Sequence, residues 1–345
     1  MANVTLKIVA KAAGVSPSTV SRILSNDQTC YIGKEKKNAV LETVKKLGYT
    51  PNLQARNLVL GRSSTIALVI HRFAELESTG LILPKYIEGI ESKLKEHGFV
   101  LSITTLSPQI PGELQRICSA THQYGGLIFG GGLIPENGVE VVANSAVPSI
   151  ALEDISPYLK GVANVRSDIQ GGVDQAIAHL KNLGHEAIAY YGFSENMSKM
   201  FRNALAQNNL HSKEDLLFLY SSRNPYYSML DSFFLADRFI EHISKISAVF
   251  CAGGFIAIGL CRRLKQAGVV PGKDISILCC DNIEPMLEED KAFLTTIGEP
   301  REEVGQRIAQ RLIETIETKN RDPREELLPC QLIIRNSTGP NIKKS

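Results

Sequence analysis

Near the start of the chain, apolar residues recur at helical spacing in three short blocks. Residues 6–13 carry Ile8, Val9 and Ala12, residues 17–24 carry Val20, Ile23 and Leu24, and residues 34–47 carry Ala39, Val40, Val44 and Leu47. Each block predicts an amphipathic helix with one inward face. The punctuation agrees. Thr5 stands as a cap for the first helix, Gly14 turns the chain, and Gly48 stops the third helix. Ser16 is placed to satisfy an open amide of the second helix, and Pro17 fits its first position because the missing N–H has no partner there. Residues 1–50 are therefore expected to form three helices around one small core. The first two, joined by a tight turn, make a helix-turn-helix, whose second helix can enter the DNA major groove.

Beyond Pro51 the pattern shortens. Asn52 can cap a helix over residues 53–60, which Gly61 stops. Eight residues are too few for an isolated helix in water, so residues 51–62 form a linker that folds only against a partner. From residue 64 apolar strand-like runs appear at 65–70, 100–104, 126–129, 148–152, 161–165, 187–191, 248–251 and 275–280. Helical stretches lie at 84–97, 112–124, 171–183, 201–208, 229–244, 256–267 and 302–318. That alternation predicts doubly wound parallel sheets. Eight strands with so much helix exceed one open sheet, so residues 63–345 are expected to form two lobes with a cleft at their strand ends. The expected first lobe is about 63–160 plus 293–325, and the second about 161–292 plus 326–345. No internal sequence repeat is visible.

Charge sharpens the division. The net charge of +2 conceals +7 on residues 1–62 and −5 on the remainder. A basic head on an acidic body points to a polyanionic partner. The seven cysteines form no C-x-x-C and read as reduced core thiols. There is no signal segment and no apolar run of membrane-spanning length, so a cytoplasmic protein without a membrane partner is expected. Gly130-Gly131-Gly132 and Gly253-Gly254 follow strands but complete no phosphate-binding motif. The seven histidines show no metal-ligand spacing, and no G-x-S-x-G elbow appears. Neither an enzyme nor a cofactor or metal is expected.

The order of helix-turn-helix, capped short helix and two-lobed body resembles the lactose/galactose repressor family of bacterial transcription regulators. In the head the matching residues are Val4-Thr5-Leu6-Lys7, Val9-Ala10, Ala13-Gly14-Val15-Ser16, Ser18-Thr19-Val20-Ser21-Arg22 and Leu24. Leu47-Gly48-Tyr49, Pro51-Asn52, Ala55-Arg56 and Leu58 extend them. In the body Leu183-Gly184-His185, Ala257-Ile258-Gly259, Gly268-Val269, Pro271, Asp274-Ile275-Ser276 and Leu294-Thr295-Thr296-Ile297 match. The resemblance implies an α/β chain: a helix-turn-helix headpiece on a periplasmic-binding-protein-like body. It implies a homodimer on a pseudo-palindromic DNA operator, repressing a carbohydrate-use operon. Ser18 and Arg22, four apart on one helical face, would meet base edges, Arg being the usual reader of guanine. Pro17 would offer only apolar contact to a base. Ala55 and Leu58 would enter the minor groove, Leu58 as a wedge between base steps. Thr5, Ser16, Thr19, Ser21 and Asn26 would meet phosphates. Ile8 replaces the family's acidic residue.

The same resemblance places a small-molecule effector, a carbohydrate, in the cleft. Asp281 is the retained polar anchor, and Phe73, Glu153, Asp154, Tyr220 and Glu299 are expected to line the cleft with it. Met197 stands where an arginine is usual, just before the helix at Met200-Phe201. Gly253-Gly254 replaces a common Asn-Asp pair, and Gly298-Glu299 an Arg-Gln pair after the crossover segment 294–297. Two other readings therefore stand beside an effector-controlled repressor. One is a regulator gated by a partner protein, with a vestigial cleft. The other is a sugar-binding module without DNA function.

Overall fold

Helices α1 (Leu6–Ala12), α2 (Pro17–Leu24) and α3 (Lys34–Leu47) follow the three sequence blocks. The computed structural model describes residues 4–24, 32–49, 63–71, 77–107, 110–220, 229–283 and 292–344. The chain divides into two compact units, residues 1–64 and 65–345.

In the first unit Val9, Ala10, Val20, Ile23, Val40 and Tyr49 form the buried core. The inward face of α1 is therefore Leu6, Val9, Ala10 and Ala13, and the expected face of Ile8, Val9 and Ala12 is corrected. Ile8 is 45% exposed, because only positions 6, 9, 10 and 13 keep the i, i+3, i+4, i+7 spacing toward the core. Ala39 on α3 is likewise exposed. At Gly14 the backbone takes φ 67°, and the Val15 amide reaches back to the Ala10 carbonyl at 3.1 Å. This left-handed closure satisfies a helix-end carbonyl and sets the tight turn. Ser16 caps α2, its Oγ accepting from the Thr19 amide at 3.1 Å. Thr5 makes no side-chain capping bond.

The second unit runs β1 (Thr65–His71), α4 (Glu77–Glu96), β2 (Val100–Leu106), α5 (Glu113–Cys118), β3 (Gly126–Gly130), α6 (Val139–Ala143), β4 (Ser149–Leu152), β5 (Ala163–Asp168) and α7 (Ile169–Asn182). It continues with β6 (Ile188–Gly192), α8 (Glu195–Gln207), β7 (Leu217–Leu219), α9 (Met229–Glu241), β8 (Ala248–Cys251), α10 (Gly254–Gln266) and β9 (Ser276–Cys280). Then come β10 (Thr295–Gly298), α11 (Arg301–Thr318), β11 (Glu325–Pro329) and β12 (Gln331–Ile333). One sheet has the order β11-β5-β4-β3-β1-β2 and is parallel throughout. The other has the order β12-β10-β9-β8-β6-β7, with only β12 antiparallel. Both sheets are covered on both faces, which is why their central strands are apolar runs rather than alternating ones.

Three segments lie on the other side of the expected lobe division. The strand over 163–168 pairs with β4 and β11 in the first sheet, so residues 161–168 do not open the second lobe. Residues 295–298 pair with β9 in the second sheet, so the expected crossover segment is itself a strand. Residues 325–329 pair with β5 in the first sheet. The short polar ends of these strands gave no apolar signal, and sheet pairing decides their lobe. The chain thus crosses between lobes after β5, after β10 and after β11, each time from a strand's C-terminal end. The six described cysteines are buried, and none of them is in a disulfide.

α4 and α11 cover the first sheet with Tyr86, Ile90, Val304 and Ile308 in one core cluster. They touch backbone to backbone. A Cβ on Gly89 would run into the Glu302 carbonyl, and one on Gly305 into the Tyr86 carbonyl. Gly305→Ala must push the helices apart and should cost about 1–3 kcal/mol. Urea unfolding monitored on this unit should show a lower midpoint. An unchanged midpoint would contradict the close approach.

Candidate nucleic-acid interface and inter-lobe cleft

On α2, burial of Val20 and Ile23 turns Pro17, Ser18, Ser21 and Arg22 outward. Thr19 is half-buried. Ser16 Oγ lies 2.7 Å from Ser18 Oγ and 2.9 Å from Thr19 Oγ1, so the cap is also a cluster of hydroxyls at the start of the helix. No acidic residue occupies the first turn of α2, and Lys7, Lys11, Lys34, Lys36 and Lys37 are exposed. A helix start with no acidic residue, on a unit with these exposed lysines, suits an anion. Asn26, Ala55 and Leu58, with the whole of 51–62, lie outside the described residues.

In the second unit the strand ends carry a connected polar group. Asp281 directly follows β9 and Glu153 directly follows β4, the same place in the strand order of each sheet. Both adopt left-handed backbone, with φ 67° and 55°. Each lies against a glycine after the neighbouring strand, for a Cβ on Gly254 would crowd the Asp281 carbonyl and one on Gly131 the Glu153 carbonyl. Arg301, the first residue of α11, donates from Nη2 to Asp281 Oδ1 at 2.9 Å and from Nε to Glu299 Oε2 at 3.2 Å. Tyr86 on α4 donates to Glu153 Oε1 at 3.0 Å and approaches Glu299 Oε2 at 3.4 Å. Glu153 also accepts from the Ser167 amide and from Ser167 Oγ, the latter at 2.7 Å. The network runs from the second lobe through the β10–α11 crossing into the first. An open groove of about 680 Å³ flanks it on the Glu299–Arg301 side, bounded also by Lys85, Asn282 and Ile333.

The other expected cleft residues fare differently. Met197 lies inside α8, not before it, because Ser194 caps that helix by accepting from the Met197 amide at 3.2 Å. Its sulfur meets Cys280 Sγ at 3.9 Å, next to Asp281. Tyr220 packs edge-on against Tyr191 and donates to the Leu235 carbonyl at 3.0 Å. Gly254 is closed in by Ile283 and the Asp281 carbonyl, so no larger side chain fits there. Asp154 is buried and accepts from the amides of Gly132 and Ser156. Phe73 lies outside the described residues. Tyr86, Ser167 and Arg301 were absent from the sequence reading. The signal for Arg301 was a basic residue opening a helix, where the helix dipole disfavours it.

One guanidinium binds two carboxyl groups here, and Glu153 stands near one of them, Glu299. Burial first, then the charges of Asp281 and Glu153, push Glu299 up to about 8 against the pull of Arg301. Glu299 is therefore mostly protonated at neutral pH. Burial and then the nearby Glu299 and Glu153 hold the Tyr86 phenol well above its usual range. Burial opposes the charge on Arg301, yet Glu299 and Asp281 outweigh it and raise the group. Because the Glu299 pKa is higher folded than unfolded, its contribution to stability is complete below about pH 4.5 and is lost as pH rises toward 8. Glu299→Gln should match wild type near pH 4.5 and melt higher at pH 8, by about 3 °C or more. Parallel melting curves across that window would refute the protonated carboxyl.

Residues 5–52 match the profile of bacterial regulatory proteins of the lacI family, and residues 177–338 match that of the periplasmic binding protein-like domain. The HTH-type transcriptional regulator MalR of Streptococcus pneumoniae is 30% identical over 82% of this chain and 85% of its own length. The HTH-type transcriptional regulator AglR of Rhizobium meliloti is 28% identical over 99% and 96%. Among solved structures, the Lac repressor dimer bound to operator and the anti-inducer ONPF superposes with a TM-score of 0.71 at 21% identity, over 98% of this chain and all of that one. A LacI family regulator from Enterococcus faecium with bound ribose gives 0.64 at 27% identity, over 80% and 99%. Among the described residues no helix is long and apolar enough to cross a membrane. With the helix-turn-helix, the two parallel-sheet lobes and these likenesses in agreement, this chain belongs to the lacI family of bacterial DNA-binding transcriptional regulators.

Proposed function

We propose that the protein is a cytoplasmic, dimeric repressor without catalytic activity, whose grip on a pseudo-palindromic operator is set by a carbohydrate lying between its lobes. One observation carries the effector half of this reading: matched left-handed carboxylates, Glu153 and Asp281, one at the strand end of each lobe. Carboxylates are natural acceptors for sugar hydroxyls. A ligand held by both lobes favours one lobe spacing over another, as a population shift requires. Asp281 and Glu299 share one guanidinium and the Glu153 charge lies close to Glu299, so a phosphorylated or acidic sugar is disfavoured. That the Enterococcus faecium regulator carries bound ribose supports a sugar as the effector class.

In the DNA half, Ser18 and Arg22 read bases, Pro17 makes apolar contact, and Thr5, Ser16, Thr19 and Ser21 meet phosphates. Ala55, Leu58 and Asn26 complete the contact from outside the described residues. Two-fold symmetry of a dimer requires matching half-sites.

Arg22→Ala should cost about 1–3 kcal/mol of base discrimination. Gel-shift titrations of operator and random duplex should therefore converge, and an unchanged ratio removes Arg22 from base readout. For the cleft, calorimetry of the full chain against ribose, glucose, maltose, cellobiose and glucose 6-phosphate should find binding by a neutral sugar. Asp281→Asn should weaken that binding about tenfold or more. Failure of every neutral sugar would instead favour a cleft gated by a partner protein, with Met197 and the closed-in Gly254 as the lost anchors.

A further inference from the structure

Arg301 is out of place by three ordinary standards. It opens a helix, where the dipole repels a cation. It is only 4% exposed, although a long charged side chain is rarely buried unless paired. And it belongs to one lobe while its main partner belongs to the other: α11 packs into the first-lobe core through Val304 and Ile308, and Asp281 ends a strand of the second sheet.

Asp281 is equally constrained. Its left-handed backbone is an uncommon state for a residue with a side chain, and such states persist only when the surroundings enforce them. Its carbonyl accepts the Ile283 amide at 2.9 Å. Its Oδ1 takes the Arg301 guanidinium, while Oδ2 points beside Gly253, 3.2 Å from where a Cβ would stand. The arginine thus occupies one carboxylate oxygen and leaves the other beside a residue with no side chain.

We infer that Arg301 is a positioning residue of the cleft: anchored in the first lobe, its guanidinium holds the Asp281 carboxylate of the second lobe so that Oδ2 is aimed at a hydroxyl or ammonium donor of the ligand. The effector role of Asp281 is taken from the function proposed above, and the hold of Arg301 on Asp281 stands on the distances alone. The lobe that receives the ligand's donor is thereby tied to the first turn of α11. Glu299, on the same guanidinium, fixes the arginine from the crossing strand, and Tyr86 reaches Glu299 from α4. If Arg301 only filled space, an uncharged side chain of similar length would serve.

Hydrogen exchange of the full-length protein, without ligand, separates these cases. In Arg301→Met the amides of 281–283 should exchange about tenfold faster, while those of β1 and β6 stay as in wild type. Arg301→Lys keeps a charge within reach of Asp281 and should recover at least half of the lost protection. Unchanged protection in Arg301→Met, or a lysine variant that behaves like methionine, overturns the assignment. Should Arg301→Met fail to fold, Asp281→Asn decides the matter from the other side. Amides in the first turn of α11 should then exchange faster, and an unaltered first turn overturns the assignment. Because no ligand enters, such a failure removes Arg301 from its role and leaves the effector reading to the sugar titration. A sugar binding wild type and Arg301→Met with equal affinity would also overturn it.

Discussion

Where the chain passes from β10 into α11, one buried guanidinium holds two carboxyl groups that would otherwise meet without a counter-charge. Breaking such a contact from one side typically costs about 3–5 kcal/mol, because the abandoned charge stays buried. The surroundings are arranged to avoid that. Glu299 keeps its proton near neutral pH, which lowers the charge that Arg301 must balance. Tyr86 donates to Glu153 and stands beside Glu299, and it arrives there only because α4 lies directly on α11. That approach depends in turn on Gly89 and Gly305, which leave the two helix backbones in contact. The packing of two helices and the protonation of one carboxyl are therefore parts of the same junction.

The junction also joins two lobes built to one plan. Setting β11 and β12 aside, the strand orders β5-β4-β3-β1-β2 and β10-β9-β8-β6-β7 correspond position by position. Glu153 and Asp281 occupy equivalent ends, both left-handed, each over a glycine from the adjacent strand exit. A non-glycine residue in that region costs on the order of 1–3 kcal/mol, and two such residues at matched positions imply one shared demand. The demand is geometric: a carboxylate projected from a strand end needs the backbone to reverse there, and the reversal needs a neighbour without a side chain.

Most of the fold was legible, and the reasons are local. The head declared itself through Gly14, Ser16 and Pro17, where each residue type answers a specific backbone need. Central strands such as 126–130 and 248–251 were visible because burial on both faces makes them continuous apolar runs. The strands over 163–168, 217–219 and 325–333 were missed or misplaced because they are short or polar-ended and take their identity from pairing. The site was only half visible. Asp281, Glu153 and Glu299 were found as acids near strand ends. Tyr86 and Arg301 were not, because their role depends on a helix contact between residues more than 200 positions apart, as the Tyr86–Glu299 approach illustrates. The duplication of the lobes left no sequence trace, since equivalent strand ends share geometry rather than residue identity.

The departures from the family pattern also change meaning. Gly254 looked like a lost polar anchor, yet the Asp281 carbonyl and Ile283 fill the space a side chain would need. A glycine there is what allows the left-handed Asp281. Met197 looked like a lost cation, yet its sulfur packs on Cys280 at the end of the same strand. Both substitutions take polarity from the helix starts that flank Asp281 and leave it at the strand ends. The cation of this region is supplied instead from the opposite lobe, by Arg301. A ligand recognised at helix walls of one lobe could bind without sensing how far away the other lobe is. A ligand recognised by strand-end acids from both lobes cannot, because its affinity then depends on their separation, and only such differential affinity can shift an equilibrium between two lobe arrangements.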